Sequence, residues 1–231
     1  MIASYDWAGG REALLRFGPA TGPIVLIASP LFEEANRLRA FTTTLARLLA
    51  ERGIASALPD LPGTGESLIP TEAATLERWR DAWNAAAITL AAEARAVHGL
   101  GLRGGALVDR YAELASRCYL APMTGVTVVR ELMRIWQAAD PAADPATMLD
   151  DGPPIEIAGN LLSRTLLGEL GAAIPAAGER VRVLRLDSDA APADRKLPGT
   201  PLWRRTEPGN DPALAALLAD ELAQWIAACG A

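Results

Sequence analysis

Short apolar segments alternate with segments of helical periodicity along the first half of the chain. GPIVLIASP is continuously apolar, rich in β-branched residues and bounded by Gly22 and Pro30, which is typical of a strand covered on both faces. NRLRAFTTTLARLLAERG follows with apolar residues at helical spacing, and Gly53 is placed to end that helix. Further strands are predicted at REALLRF, IASALPD, AVHGLGL and RCYLAPM. Because helices separate the later strands, this order predicts an α/β fold with a mostly parallel central sheet flanked by helices.

The alternation breaks in the second half of the chain. Residues from about 124 to 175 are predicted to form helices without strands, and they include VVRELMRIWQAA and IAGNLLSRTLLGEL. RVRVLRLDSD and TPLWRRTE are then predicted to be strands. DPALAALLADELAQWIAA is predicted to be an amphipathic helix with Asp211 as its N-cap and Pro212 at its first position. We therefore expect a single domain over residues 1–231, with a helical cap inserted at about 124–175 before the last strands.

A glycine-rich turn follows the predicted strand AVHGLGL. Gly101-Leu102-Arg103-Gly104-Gly105 has the spacing of G-x-S-x-G, in which a nucleophilic serine sits on a strained turn between a strand and a helix. GGALVDRYAELA is predicted to be that helix. Arg103 stands at the serine position and cannot be a nucleophile, because its guanidinium stays protonated. The single histidine, His98, lies five residues earlier on the same strand, roughly 16 Å away, so ordinary Ser-His-Asp hydrolysis is not expected.

Several segments resemble those of α/β hydrolases. DLPGTGES resembles the D-x-x-G-x-G-x-S loop of that fold, and LDSDAAPAD stands where such enzymes carry their acid. SPLFEEANRLR resembles the H-P-F-x-E-E-x-N-x-x-R segment of the exosortase A system-associated hydrolases, and GLRGGALV resembles the G-L-R-x-G-A elbow of their second type. APMTG, ELMR and IEIAGNLLS are similar to that family's cap segments. The resemblance implies an α/β-hydrolase fold with a cap and a link to exopolysaccharide and protein-sorting pathways. Ser29 stands where the family usually has His, so no role for that histidine carries over.

Arg103 needs a negative partner, because the start of the predicted helix already carries partial positive charge. One solution is an internal ion pair with a carboxylate from a neighbouring loop, such as Glu33 or Glu34. The other is an anionic ligand held by the guanidinium and the helix amides, beginning with that of Gly104. The two solutions are compatible if a ligand competes for the arginine.

The Glu33-Glu34 pair also has two interpretations. Acidic residues there favour the start of the following helix, with Asn36 as its cap. Alternatively, one of the glutamates points inward toward Arg103. We count Phe32, Asn36 and Gly104 as candidate ligand-binding residues together with Arg103, and Trp136 on a cap helix as a further wall for an apolar or sugar-like group.

Two functions from different classes fit these residues. The first is a non-catalytic protein with a degenerate triad that binds an anionic or lipid- or sugar-linked small molecule, or a partner protein, beneath the cap. The second is an atypical ester or thioester hydrolase in which Glu33 or Glu34 activates water and Arg103 holds the substrate. No residue pattern indicates a metal or a cofactor, and none is expected.

Composition excludes other classes of function. The chain has 28 acidic and 22 basic residues and a net charge of -6, which argues against a nucleic-acid partner. A continuous run of about 18 apolar residues is not seen, so no membrane span is expected. The start MIASYDWAGG lacks the pattern of a signal peptide, so a cytoplasmic location is expected. Cys118 and Cys229 have no metal-like spacing and are expected to be reduced.

Overall fold

A computed structural model describes residues 1–230 of the chain. Ten β-strands lie along the sequence. They are β1 (Ile2–Trp7), β2 (Gly10–Phe17), β3 (Pro23–Ala28), β4 (Ala55–Pro59), β5 (Ala96–Leu102), β6 (Ser116–Leu120), β7 (Ile155–Ile157), β8 (Asn160–Leu162), β9 (Val181–Leu186) and β10 (Arg195–Leu197). Five α-helices accompany them. They are α1 (Glu33–Glu51), α2 (Leu76–Ala91), α3 (Gly125–Ala139), α4 (Arg164–Ala172) and α5 (Pro212–Cys229).

Eight strands form one sheet in the order β1-β2-β4-β3-β5-β6-β9-β10. Only β1 with β2 and β2 with β4 are antiparallel, and the other neighbouring pairs are parallel. The expected fold class, a mostly parallel central sheet flanked by helices, is confirmed. Because β3 and β5 lie in the middle of the parallel region, their carboxyl ends meet at the same edge of the sheet, which is where such folds place ligands.

The sheet is covered on both faces. Five of the six residues of β3 are buried, as the continuous apolar run predicts. The leucine-rich sides of α1 and α5 pack together over one face. The tryptophan side of α2 and the apolar sides of α3 and α4 belong to a second core cluster. Gly53, with a φ of 71° directly after the cap residue Arg52, ends α1 as expected.

The segment between β6 and β9 contains α3, α4 and a short hairpin. The expectation of helices without strands is wrong for this hairpin, in which β7 pairs antiparallel with β8. Its two-residue turn is Ala158-Gly159, and both residues have positive φ, the geometry that suits a tight hairpin. The division into one domain with a cap at about 124–175 stays a prediction.

The helix predicted after the glycine-rich turn is absent from the described chain. GGALVDRYAELA forms only a 3-10 turn, Arg103–Leu107, before the chain leads into β6. The carbonyl oxygen of Leu107, which a continuing helix would use, instead accepts two hydrogen bonds from the Arg80 guanidinium at 3.0 and 3.1 Å. Two residues further on, the buried Asp109 carboxylate is held by Arg117 Nε at 3.1 Å. These side-chain contacts replace the backbone ladder of a helix.

The end of the chain differs from expectation in one strand. TPLWRRTE is not a strand, because Leu202–Arg204 forms a 3-10 turn, and the last strand is instead β10, directly after the carboxyl-rich loop. In α5 the Asp211 side chain accepts a hydrogen bond from the backbone N–H of Leu214 and Pro212 begins the helix, as predicted. By length and composition α5 is also apolar enough to span a membrane. Its leucines are buried against the sheet and α1, so core packing accounts for them. The cytoplasmic location stays a prediction.

Candidate functional site

The glycine-rich turn at the end of β5 has the strained geometry of a nucleophile elbow. Arg103 has a φ of 55°, in the left-handed region that non-glycine residues rarely adopt. A Cβ on Gly101 would lie 2.8 Å from Tyr119 Cδ1 and from the Ala106 backbone. A Cβ on Gly105 would overlap the carbonyl oxygens of Ala28 and Ser29. Both glycines are therefore required by close packing, and the turn presents the side chain of Arg103 at the carboxyl edge of the sheet.

Arg103 is held by partners on three sides. Its Nη2 lies 3.0 Å from Glu34 Oε1, and its Nε lies 3.2 Å from Glu34 Oε2. Nη1 donates to the carbonyl oxygen of Ala121 at 3.4 Å. The guanidinium carbon is 4.5 Å from the centre of the Trp203 ring, a cation–π distance. Glu131 on α3 contributes a more distant carboxylate, 3.9 Å from Nη2.

Glu34 is the glutamate that faces the turn. Its side chain is 16% exposed and that of Arg103 is 12% exposed, so the pair is largely removed from water. Burial raises the pKa of Glu34, and the nearby Arg103 opposes that rise. Glu33 is turned away and pairs with Arg37 at 2.9 Å, one turn further along α1. Glu33 and Glu34 are therefore adjacent in the sequence but form ion pairs with different arginines.

The start of α1 does not use the predicted cap. Asn36 lies inside the first turn of the helix, because α1 already begins at Glu33, and the cap position belongs to Phe32 without any side-chain cap bond. The interpretation of Asn36 as the cap is wrong. Asn36 also lies outside the cavity described below and lines a shallow groove with Arg39 and Thr43 on the outer face of α1.

A cavity of about 310 Å³ lies above Arg103, between the sheet edge and α3. Most of its wall is apolar. The apolar lining residues are Leu31, Phe32, Met123, Val128, Leu132, Ile135, Ile157 and Trp203. Four arginines and three glutamates complete the wall with Gly104 and Ala158, and these are Arg37, Arg103, Arg134, Arg204, Glu33, Glu34 and Glu131. Of the candidate residues, the structure brings Arg103, Gly104, Phe32, Glu33 and Glu34 together here.

The tryptophan of the cavity is not the one expected from the sequence. Trp136 packs partly buried against the core cluster and is not among the lining residues. The side of α3 that faces the cavity carries Val128, Glu131, Leu132 and Ile135, the i, i+3, i+4, i+7 spacing of one helix face. Trp203 takes the aromatic role, and sequence reasoning missed it because TPLWRRTE was assigned to a strand.

The histidine and an aspartate of the types that a serine-hydrolase triad uses are engaged elsewhere. His98 is buried on β5, and its Nδ1 is 2.8 Å from Ser116 Oγ. Burial lowers the pKa of His98, which favours the neutral ring. Asp189 lies in the loop after β9, where α/β hydrolases usually carry the acid of their triad. Its carboxylate accepts hydrogen bonds from Arg185 and from the N–H of Ala191, at 2.8 and 2.9 Å. Neither residue lines the cavity.

Metal-binding side chains do not converge anywhere in residues 1–230. Over that range the structure contains no cluster of three or more His, Cys, Asp or Glu side chains placed to hold an ion. The carboxylates at the cavity are each matched to an arginine instead.

Comparison with solved structures identifies the fold. Est1E from Butyrivibrio proteoclasticus matches with a TM-score of 0.61 at 14% identity, over 99% of this chain and 98% of that chain. An α/β serine hydrolase without a lid from Xanthomonas campestris matches with a TM-score of 0.58 at 14% identity, over 99% and 94%. A thermophilic esterase from Thermogutta terrifontis matches with a TM-score of 0.53 at 15% identity, over the full length of both chains. Likeness at this level of identity establishes the fold and leaves the chemistry to the site.

Comparison of the sequence with protein-family models found no match, and comparison with curated proteins found none either. The resemblance to the exosortase A system-associated hydrolases stays a prediction.

Proposed function

We propose that this protein of the α/β-hydrolase fold is a binding protein that takes up an anionic small molecule beneath its cap and does not perform acyl transfer through a serine. The observation that carries the proposal is Arg103 at the position of the nucleophile, salt-bridged to Glu34 at 3.0 Å. A guanidinium in that position can neither attack a carbonyl carbon nor release a proton to a base.

The second support is the lack of a proton acceptor for an acyl-transfer step. A serine nucleophile needs an imidazole within hydrogen-bond reach. His98 is five residues from Arg103 along β5 and is bonded to Ser116, so it stands roughly 16 Å from the turn. Glu34, in the first turn of α1, also places a carboxylate next to the loop that would donate an amide to an oxyanion, and its negative charge would oppose the intermediate.

The cavity itself supports small-molecule binding. Its apolar wall and its few charged groups have the composition of ligand pockets, and its volume of about 310 Å³ lies at the lower end of their range. The arginines at the wall outnumber the glutamates, although the whole chain has a net charge of -6. This local reversal of charge favours a negatively charged ligand.

The sequence resemblance extends the proposal to a biological setting. SPLFEEANRLR and GLRGGALV are the segments similar to the exosortase A system-associated hydrolases. On that basis the ligand is a lipid- or sugar-linked intermediate, or a partner protein, of exopolysaccharide or protein-sorting pathways.

The proposal is tested by two measurements on the full chain. Native mass spectrometry of the purified protein is expected to show an anionic small molecule that is released on unfolding. A panel of esters and thioesters is expected to show no turnover above that of Arg103→Ala. Reproducible hydrolysis that this substitution abolishes would overturn the proposal.

A second candidate function has one observation in its favour. Glu34 is buried at the cavity wall and burial raises the pKa of its carboxyl, which is how enzymes prepare a general base. Glu34 would then activate a water molecule for attack on an ester or thioester, with Arg103 orienting the anionic substrate. Under this alternative Glu34→Gln abolishes turnover while Glu33→Gln, which removes the carboxylate paired with Arg37, leaves it intact. Equal rates in the two variants would remove this alternative.

A further inference from the structure

We infer that Arg134 and Arg204 form the anion receptor of the cavity, and that the ligand is an amphiphile whose apolar part lies beneath the cap while its carboxylate or phosphate remains at the mouth. This inference rests on the proposed binding function and assigns the chemistry of its ligand. Arg134 comes from α3 and Arg204 from the 3-10 turn Leu202–Arg204, and both side chains line the cavity.

The other two arginines of the cavity are already neutralised. Arg103 has Glu34 at 3.0 Å and Glu131 at 3.9 Å. Arg37 has Glu33 at 2.9 Å and also donates to the carbonyl oxygen of Trp203 at 3.0 Å. A ligand that used either guanidinium would have to displace a protein carboxylate first, which lowers the gain from binding.

Arg134 and Arg204 differ from Arg37 and Arg103 in their contacts. Within residues 1–230, neither guanidinium has a carboxylate within 4 Å or donates a hydrogen bond to any protein acceptor. Both residues are exposed, so they keep their charges in contact with water. Two free cations at one opening raise the local concentration of anions and can supply several charge-assisted hydrogen bonds to a single acidic group.

The interior of the cavity is lined by apolar side chains, in contrast to the two charged arginines. Val128, Leu132 and Ile135 on α3 line the cavity together with Leu31, Met123 and Ile157 of β7. The cavity volume of about 310 Å³ lies at the lower end of the range of small-molecule pockets, which suits an apolar chain or ring of moderate size. Because α3 supplies both the apolar wall and Arg134, the same helix orients the tail inward and the acidic group outward.

The test compares two ten-carbon probes with the same type of alkyl tail, decanoate with a charged head group and 1-decanol with a neutral one. Binding to the full chain is followed by calorimetry, with intrinsic tryptophan fluorescence, to which Trp203 at the cavity contributes, as a second readout. The wild-type protein is expected to bind decanoate about tenfold or more tightly than decanol, because charged hydrogen bonds add to equal burial of the tail. This preference is expected to weaken as salt is raised.

Paired variants assign the receptor. Arg134→Gln/Arg204→Gln is expected to bind the two probes equally and to keep the wild-type affinity for decanol. The matched control is Arg130→Gln/Arg205→Gln. It removes the same charge from exposed residues of the same helix and the same loop that do not line the cavity, and it is expected to keep the preference for decanoate.

The outcomes separate this inference from the function it rests on. If the wild-type protein binds both probes equally, or if the Arg134/Arg204 variant keeps the preference, the receptor is wrong while binding in the cavity stands. If neither probe binds, the amphiphile assignment is wrong. In that case the proposed binding function is tested only by native mass spectrometry of the ligand that co-purifies with the protein. Matching thermal melts of the variants and the wild type show that the fold is intact in each comparison.

Discussion

The guanidinium of Arg103 and the carboxylate of Glu34 meet in a forked ion pair, with Nη2 3.0 Å from Oε1 and Nε 3.2 Å from Oε2. The pair joins the tip of β5 to the first turn of α1 at the place where a hydrolase of this fold exposes its nucleophile. An ion pair that is mostly shielded from water reacts very differently to the loss of one partner and to the loss of both.

Arg103→Met is expected to lower the free energy of unfolding by about 3 kcal/mol at neutral pH. Glu34 receives hydrogen bonds from Arg103 alone among the side chains of residues 1–230, so the substitution leaves its carboxylate buried and unpaired. Urea unfolding measures the loss. The double variant Arg103→Met/Glu34→Gln is expected to recover most of it, and a double variant no more stable than Arg103→Met would contradict this account.

Glu34→Gln is expected to change how stability depends on pH. Burial raises the pKa of Glu34 against the opposing pull of Arg103. A carboxyl with a raised pKa in the folded state adds stability that is complete below its unfolded value of ~4.3 and is lost as pH rises through the folded value. In the Glu34→Gln variant this side chain is neutral at every pH, so its contribution to stability does not change with pH.

The stability of the wild-type protein relative to Glu34→Gln is therefore expected to fall as pH rises through that window. Thermal melts of the two proteins between acidic and neutral pH provide the difference curve. A curve that rises with pH would mean that the attraction of Arg103 outweighs burial.

Restoring the serine is expected not to restore hydrolysis. Arg103→Ser places a hydroxyl on the strained turn, but His98 remains bonded to Ser116 at 2.8 Å on the far part of β5, so no imidazole is in reach to remove the hydroxyl proton. The rate with short p-nitrophenyl esters is expected to equal that of Arg103→Ala. A clear excess for the serine variant would reveal a proton acceptor at the turn.

Two glycine-to-alanine substitutions are expected to have opposite effects. Gly105→Ala forces a Cβ against the carbonyl oxygens of Ala28 and Ser29 and is expected to cost about 3 kcal/mol of stability. Gly168→Ala in the exposed face of α4 meets no atom within 4 Å and is expected to stabilise the protein by about 0.5–1 kcal/mol. Denaturant midpoints of the two variants check both signs, and equal midpoints would refute the steric requirement at the turn.

Cys118 is expected to resist alkylation in the folded protein. Cys118 lies on β6, and its side chain is fully buried in the hydrophobic core. Burial raises the pKa of the thiol to about 12, so almost no thiolate forms near neutral pH. Cys229, half-buried near the end of α5, is expected to react first. Thiol titration before and after unfolding counts the two groups, with Cys229→Ser as the control, and rapid labelling of that variant in the native state would disprove the burial of Cys118.

Local sequence signals were sufficient for the central strands and for several helix ends. β3 and β5 form where GPIVLIASP and AVHGLGL predict strands, because both faces of a central parallel strand are covered. Asp211 and Pro212 start α5 as predicted, because a cap acts on amides only a few residues away. The turn around Arg103 follows from close packing at Gly101 and Gly105, and its spacing is visible in the sequence.

The sequence prediction was wrong for two segments whose secondary structure depends on contacts with residues far away in the chain. The segment after Arg103 has helical composition, yet Arg80 from α2 occupies the carbonyl oxygen of Leu107 and ends the turn. Likewise TPLWRRTE has the composition of a strand, but as a 3-10 turn it lays Trp203 on the guanidinium of Arg103.

The sequence by itself determined the strands β3 to β6, the glycine spacing of the turn and the position of Arg103 within it, because each depends on residues close together in the chain. Only the tertiary structure decided that Glu34 and not Glu33 neutralises that arginine, and that Arg134 and Arg204 at the same cavity have no carboxylate partner among residues 1–230. Adjacent residues on a helix point in directions about 100° apart, so the partner of each depends on which element the fold packs against that side.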